Sequence, residues 1–331
     1  ASKHATGVYF RTSQVPVVAD VLGRVTKLAH GRGLKLYAWM TSRYADYGLT
    51  GERAARWSER VYDLETGAVL EGKGLDLFND RVVDHLAALY ADLANYPIDG
   101  VLFQDDLVSR HTDGFSAAAA RAYEQRFGKS LEPLDLYENV YQKEGTAKFY
   151  VGRYTDEFWQ WVRWKNERLL DVAERLGGVV RARRPEAKIA VNFMYEAASS
   201  PRNGLAWLSQ SISAAHARNF DYYAIMAYHR QIADELGLSI EQTATLIERM
   251  SRSLYAGAHP LRAMFKLQIR DWNDKSPVSA EELDLMAKAV REGARGTGVT
   301  PNLAIIPYRG AEDLARLPKS FFGEGASVTR R

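Results

Sequence analysis

The sequence predicts an α/β fold, a TIM-like (β/α) barrel, from two observations. Short apolar segments recur between longer amphipathic ones, the pattern of strands and helices that alternate around a parallel sheet. Those short segments are apolar throughout rather than at every second residue, as strands buried on both faces are. An open doubly wound sheet shares both features. No G-x-G-x-x-G or Walker loop follows any of the strands, so nucleotide binding has no support and the closed barrel is preferred. A length of 331 residues is ordinary for one such barrel.

The elements follow in order. A weak strand candidate covers 8–10. An amphipathic helix over 17–30 and the turn Gly31-Arg32-Gly33 lead into a strand at 34–40 (LKLYAWM). Residues 80–95 read as a helix with Val82, Val83, Leu86, Leu89, Tyr90 and Leu93 on its apolar side. A strand at 101–103 follows at once, then helices over 116–127 and 155–183. Further strands are 188–194 (KIAVNFM), 222–228 (YYAIMAY), 262–269 (RAMFKLQI) and 302–307 (NLAIIP). Between them lie helices at 239–256 and 279–297, the latter opened by Ser279-x-x-Glu282, a capping-box signal. One domain is expected over 1–321, with a disordered tail over 322–331 that is Gly-rich and ends in Arg330-Arg331.

Composition narrows the function. Hydrophobic residues make up 46% and charged residues 26%, which suits a globular chain and not a disordered one. A net charge of +3 is too mild to argue for nucleic acid. Arg181, Arg183 and Arg184 sit where they complement a helix C-terminus. No apolar run approaches the roughly 20 residues of a membrane span. With no cysteine, thiol nucleophiles, disulfides and thiolate metal sites are excluded, and no H-E-x-x-H or H-x-x-x-H spacing suggests a metal. No cofactor is expected. The 18 Tyr and 7 Trp could stack on sugar faces, although Trp161 and Trp164, which share a helix face, read as core.

The run Asp99-Gly100-Val101-Leu102-Phe103-Gln104-Asp105-Asp106 carries the chemistry. An apolar strand delivers two adjacent carboxylates at its C-terminal end, where barrels keep their catalytic groups. Like charges this close raise each other's proton affinity, as acid catalysis requires. The other strand ends supply Trp39, Asn192, Tyr195, Glu196, Tyr228, His229, Gln268, Asp271, Trp272 and Tyr308. Acids, amides and aromatics together suit a carbohydrate: rings stack on C–H faces, amides bind hydroxyls, and a carboxylic acid protonates the glycosidic oxygen. Each residue also has a structural reading. Asp106 could cap the following helix. Trp39 and Trp272 could be core or lid, His229 a structural histidine, Glu196 part of a mobile loop, and Asp271 with Asp274 turn residues.

At these residues the chain resembles the C-terminal glycoside-hydrolase domain of the two-domain, PgaB-type bacterial proteins. Those proteins deacetylate and cleave poly-β-1,6-N-acetylglucosamine, a biofilm exopolysaccharide. The matching pieces run in order: Val8-Tyr9-Phe10 through Val15-Pro16 and Ala19-Asp20; Leu36-Tyr37-Ala38-Trp39-Met40; Phe78-Asn79-Asp80-Arg81-Val82; and Leu89-Tyr90-Ala91-Asp92-Leu93-Ala94. Next come the acid-pair segment, Ala190-Val191-Asn192, Ala224-Ile225-Met226-Ala227, and Leu267-Gln268 with Trp272. The resemblance implies a barrel of about seven units whose first strand lies upstream of Ala1. It also implies a polysaccharide substrate, a bacterial envelope location (periplasmic or extracellular) and an N-terminal or separate deacetylase as partner. Several positions depart from the family. Gln104 stands where His precedes the acids, Tyr228-His229 where Met-Pro follows the fifth strand, and Val191 where Arg precedes Asn. Arg110 and His111 occupy positions that are usually acidic, and no T-F-D-D-G or paired-His motif of a deacetylase is present.

The expected activity is endo-hydrolysis of a partly deacetylated β-1,6-linked polymer with Asp105 and Asp106 as catalytic acids. In a substrate-assisted route the first acid of the pair orients the 2-acetamido group as nucleophile and the second is the general acid/base, a pattern that Asp105 and Asp106 suit in that order. With a de-acetylated sugar a distant carboxylate, Glu196 or Asp271, must act instead, and its separation would set the stereochemistry. The alternative is a catalytically weak barrel that binds the polymer during modification or export.

Overall fold

The computed structural model describes residues 3–218, 220–256 and 261–322. Its strands, in chain order, are β1 (Lys3–His4), β2 (Gly7–Val8), β3 (Tyr37–Met40), β4 (Ser58–Tyr62), β5 (Val69–Leu75) and β6 (Gly100–Phe103). After these come β7 (Tyr137–Gln142), β8 (Phe149–Tyr154), β9 (Lys188–Met194), β10 (Tyr222–Ala227), β11 (Ala263–Gln268) and β12 (Asn302–Ile306). Six of them make one sheet in the order β12-β11-β10-β9-β6-β3. The other six form the antiparallel pairs β1-β2, β4-β5 and β7-β8.

The chain divides into two compact units, Ala1–Val191 with Leu205–Phe220 and Asn192–Gly204 with Asp221–Arg331. In the first, β6 runs parallel to β3 with Tyr37 opposite Gly100 and Met40 opposite Phe103, and parallel to β9 with Gly100 opposite Lys188. Gly100 is a glycine because of that crowding: a Cβ there would lie 2.4 Å from the Lys188 carbonyl oxygen and 2.5 Å from the Tyr37 ring. The helix Asp80–Leu93 buries all six of the apolar residues that its periodicity singled out. Its Tyr90 ring stacks on Phe103 at 5.6 Å and its hydroxyl donates to the Thr41 carbonyl, which ties the helix to the ends of β3 and β6. The 28-residue helix Asp156–Arg183 starts at Thr155, whose side chain accepts the Phe158 N–H. It buries Phe158, Trp161, Val162, Leu169, Leu176 and Val180 along one stripe.

In the second unit β10, β11 and β12 are parallel, with Tyr223 opposite Ala263 and Met264 opposite Asn302. The helices Ile240–Tyr255 and Ala280–Gly293 pack on each other. Gly293 is closed in by the Glu248 carbonyl and Ser251. A full capping box forms at Ser239 and Gln242. At Ser279 only half of the expected box forms: the hydroxyl accepts the Glu282 N–H, while the Glu282 side chain turns to Arg230 and His229.

All six internal strands expected for the sheet are present: 188–194 has the expected bounds, 101–103 gains one residue, 222–228 and 302–307 lose one, 262–269 loses one at each end, and 34–40 loses its first three. Of the weak candidate at 8–10 only Val8 lies in a strand: Gly7 and Val8 pair with His4 and Lys3 in a two-stranded sheet and do not join the six-stranded one, and Phe10 is core beside Tyr96. Six strands form the sheet among the described residues, and it ends at β3 and β12. The hairpins β4-β5 and β7-β8 are strands that the helix–strand alternation does not predict: β5 (VLEGKGL) is interrupted by polar residues, while β7 (YENVYQ) and β8 (FYVGRY) are short and rich in Tyr, Phe and Val. From residue 323 the expected disordered tail lies outside the described residues.

Candidate active site

The first unit holds the acid pair, and its two carboxylates have opposite surroundings. β6 ends at Phe103. The Gln104 N–H still donates to the Met40 carbonyl at 2.8 Å, after which the chain turns. Asp106 points inward and is 1% exposed. Its carboxylate accepts from the Thr41 hydroxyl, the Ser42 N–H at 2.8 Å, the Ser42 hydroxyl at 3.1 Å and the Tyr44 N–H at 2.8 Å. Burial pushes its pKa above the usual carboxylate value, and the four donors pull against that shift without cancelling it. Asp105 is half-buried and has no hydrogen bond or ion pair among the described residues. Beside it the Gln104 side-chain oxygen is buried with no hydrogen-bond partner. Trp39, opposite Leu102 in the register, is half-buried. The Tyr44 that Asp106 holds lines a cavity of ≈ 630 Å³ with Asp46, Tyr47, Glu71 and Lys73.

A buried charge network lies beyond the pair. Arg43 donates to the Val108 carbonyl at 2.5 Å, to Asp113 at 2.9 Å and to the Lys73 carbonyl at 3.1 Å, with Glu59 at 4.0 Å. Lys165 donates to the carbonyls of Arg110 at 2.6 Å and Asp113 at 2.9 Å and lies 3.6 Å from the Trp161 ring centre. Burial lowers the Lys165 pKa to about 7, against the pull of Asp113 and Glu59. Burial raises Glu59 to about 7, with Arg43 opposing. Burial would raise Asp113 too, but Arg43 and Lys165 outweigh it and hold the carboxyl low. His111 falls to about 4 through burial and the Lys165 charge. The signal for Lys165 was present in the sequence. It falls between Trp161 and Leu169 at four-residue spacing, a lysine on an apolar stripe.

The second unit carries the remaining candidates. Asn192 is fully buried and accepts from Lys266 at 3.1 Å, and the Lys266 ammonium lies 5.6 Å from the Tyr228 ring. Tyr228 meets Trp272 edge to face at 5.4 Å. His229 is fully buried with Nε2 3.0 Å from Glu282. Arg230 grips Glu282 with two hydrogen bonds of 2.8 Å and reaches Asp271 at 3.3 Å. Burial would raise Glu282, but Arg230 and His229 hold it down at about 2. Asp271 also accepts the Asn273 N–H at 2.8 Å, so its carboxylate is committed to a turn and an ion pair. Gln268 is buried, donates to the Arg270 carbonyl and accepts from the Gln231 N–H. Tyr195 is buried by its ring, Glu196 half-buried beside it in the helix Tyr195–Ser199, and Tyr308 is 56% exposed. Arg230 was not among the sequence candidates, and its partner Glu282 carried only the capping signal.

The model of GHL13, hypothetical glycosyl hydrolase family 13, matches residues 2–299. The chain belongs to this family. Among solved structures it is similar to the PgaB (BpsB) glycoside hydrolase domain from Bordetella bronchiseptica. That match has a TM-score of 0.70 and 23% identity over 95% of this chain and 82% of that one. At that identity the likeness shows the fold, a TIM-like α/β barrel. Among curated proteins it is 27% identical over 314 residues to the poly-β-1,6-N-acetyl-D-glucosamine N-deacetylase of Escherichia coli strain K12, and equally to that of strain O157:H7. The alignment covers 89% of this chain and 42% of either relative, so the chain spans about two fifths of their length. Family and fold together make it a glycoside hydrolase. Among the described residues no group of three or more His, Asp or Glu could hold a metal ion, and no helix is long and apolar enough to cross a membrane.

Proposed function

We propose that the chain is an endo-glycosidase that hydrolyses partly deacetylated poly-β-1,6-N-acetylglucosamine, with Asp105 as its acid/base. One observation carries this reading. At the end of β6, Asp105 presents a carboxylate with no hydrogen-bond or ion-pair partner among the described residues, while the neighbouring Asp106 spends both oxygens on the turn 41–44. A general acid must come within about 2.6–3.2 Å of the atom it protonates. Asp105 can meet a sugar; Asp106 has no surface to offer one and serves by shaping the turn. Asp105 would give its proton to the glycosidic oxygen as the C1–O bond breaks, and recover one from the water that attacks C1. Where the sugar before the cut is acetylated, its own 2-acetamido oxygen is the first nucleophile, which suits a unit with one free acid in this segment. Half-buried Trp39 and, in the second unit, the Tyr228–Trp272 pair are proposed as ring platforms for sugars.

The substrate rests on the curated relatives' name, as does a deacetylase working on the same polymer, and an envelope location is proposed from the exopolysaccharide that this substrate would be. A binding barrel is the second reading, favoured by the same scarcity of free carboxylates: Glu59, Asp76 and Asp113 are all buried. Products decide between the two. Partly deacetylated polymer incubated with the protein should yield oligosaccharides by mass spectrometry, and Asp105→Asn should lower the rate about 10²–10⁴-fold. Retention of the polymer without any cleavage would leave the binding barrel. Cleavage unchanged in Asp105→Asn would remove Asp105 from the chemistry.

A further inference from the structure

Away from the strand ends, the first unit has a cleft of ≈ 520 Å³ lined by Arg126, Phe127, Asp156, Trp159, Gln160, Arg163, Trp164 and Glu167. Its walls are the end of the helix Ala117–Phe127 and the first three turns of the helix Asp156–Arg183. We propose that this cleft is a second saccharide site, which grips the polymer on the outer face of the unit while another stretch of it is cut.

Three features support this. The rings are fixed in place. Trp164 stacks on Phe78 at 4.5 Å and meets Tyr123 edge-on at 5.4 Å, and Trp159 is edge-on to Tyr154 at 6.0 Å and to Phe158 at 5.5 Å. A ring already immobilised by the core loses little entropy when a sugar covers its remaining surface. Both indoles are half-buried, as is Phe127, so each keeps surface for the cleft. The second feature is the polar lining. The side chains of Asp156, Gln160, Glu167 and Arg126 make no hydrogen bond or ion pair among the described residues, and Arg163 is tied only to the Trp159 carbonyl. Donors and acceptors that alternate around aromatic walls match the hydroxyls, acetamides and C–H faces of a sugar. The third feature is charge: the lining holds two carboxylates, Asp156 and Glu167, and two guanidinium groups, Arg126 and Arg163. A strongly anionic or cationic partner is therefore not favoured, whereas a mixture of neutral N-acetylglucosamine and scattered glucosamine ammonium groups fits. The volume is within the roughly 300–1,000 Å³ of small-molecule sites.

The choice of polymer rests on the proposed function, but the test reads binding and needs no cleavage. Affinity electrophoresis through gels containing partly deacetylated poly-β-1,6-N-acetylglucosamine should show the protein retarded. Trp159→Ala should weaken retention about 5- to 150-fold, by analogy with base stacking on aromatic side chains. Gln160→Ala with Arg163→Ala removes polar lining without touching the core, so it decides the matter if Trp159→Ala lowers the melting temperature. Cleavage of a short oligosaccharide should be unchanged in both variants, since it cannot span a second site. Retention equal to wild type in the double variant, or loss of short-substrate cleavage in step with retention, would overturn the second site. A wild-type protein that is retained but never cleaves would remove the enzyme reading and leave this one standing.

Discussion

Asp106→Ala and Asp106→Asn separate what the buried carboxylate does for the fold from what Asp105 does for chemistry. Alanine deletes the acceptor of four hydrogen bonds. The two hydroxyls can rotate toward other partners, but the N–H groups of Ser42 and Tyr44 cannot. Each buried donor left without an acceptor costs about 1–3 kcal/mol, so with two of them stranded Asp106→Ala should destabilise by about 2–6 kcal/mol. Asparagine keeps one oxygen for the Thr41 hydroxyl and both N–H groups and turns its NH₂ toward the Ser42 hydroxyl, so its cost should be near 1 kcal/mol. The raised pKa gives the same ordering, because burial already disfavours the charged form. The folded chain takes up this proton at a higher pH than the unfolded one. Asp106 therefore contributes stability that falls as pH rises from the ordinary carboxylate pKa through its raised folded value, and Asp106→Asn should lack that slope. Urea unfolding followed by tryptophan fluorescence, with the slope against urea unchanged, measures both variants. Equal losses in Ala and Asn would mean that the charge holds the turn, and would refute the argument.

Three other outcomes are expected. Lys165 has a folded pKa near 7, so the unfolded chain holds a proton that the folded chain lacks between there and the ordinary lysine value. Stability should rise with pH across that window, and Lys165→Met should abolish the rise in urea midpoints taken at intervals above neutrality. Glu59 is the reverse case: raised to about 7, it keeps its proton when folded, so stability should fall as pH climbs from the ordinary glutamate value to neutrality. Glu59→Gln should flatten that fall, and an unaltered slope would place the proton elsewhere. Trp39→Ala should weaken oligosaccharide binding by roughly 1–3 kcal/mol in calorimetry, and unchanged affinity would return that ring to the core.

The sheet was legible because its signal is local. KIAVNFM and YYAIMAY are apolar runs with helices on either side, and no other element fits them. The β4-β5 hairpin was not legible: its second strand VLEGKGL is polar and half-exposed, and its place is set by Arg43 and Asp113, far away in sequence. The acid pair was legible as a strand-end feature, but the different surroundings of its two carboxylates were not. Both are aspartates at a strand end, and only the neighbouring loop, through Thr41, Ser42 and Tyr44, makes one of them structural. Glu282 shows the same limit. Its spacing from Ser279 is that of a capping box, yet the stronger attraction of a bidentate arginine takes its side chain.

The loop after β3 and the loop after β6 are locked together by two sets of hydrogen bonds, one from backbone and one from a guanidinium group. Asp106 of the second loop accepts the N–H groups of Ser42 and Tyr44 in the first, and Arg43 between them reaches back to the Val108 carbonyl and Asp113 of the second. All of these bonds run one way, from donors at 41–44 to acceptors at 106–113, and because they leave three successive residues of the first loop they fix both position and rotation of the turn. Asp105 sits inside this frame and takes no part in it. A catalytic group gains when its backbone is held and its side chain is left free for substrate. On that reasoning Arg43→Met should lower the rate of polymer cleavage even though Arg43 touches no sugar, and Asp105→Asn in the same background should add less than it does in the wild type. Additive losses in that double-mutant cycle would mean that the frame and the acid act independently.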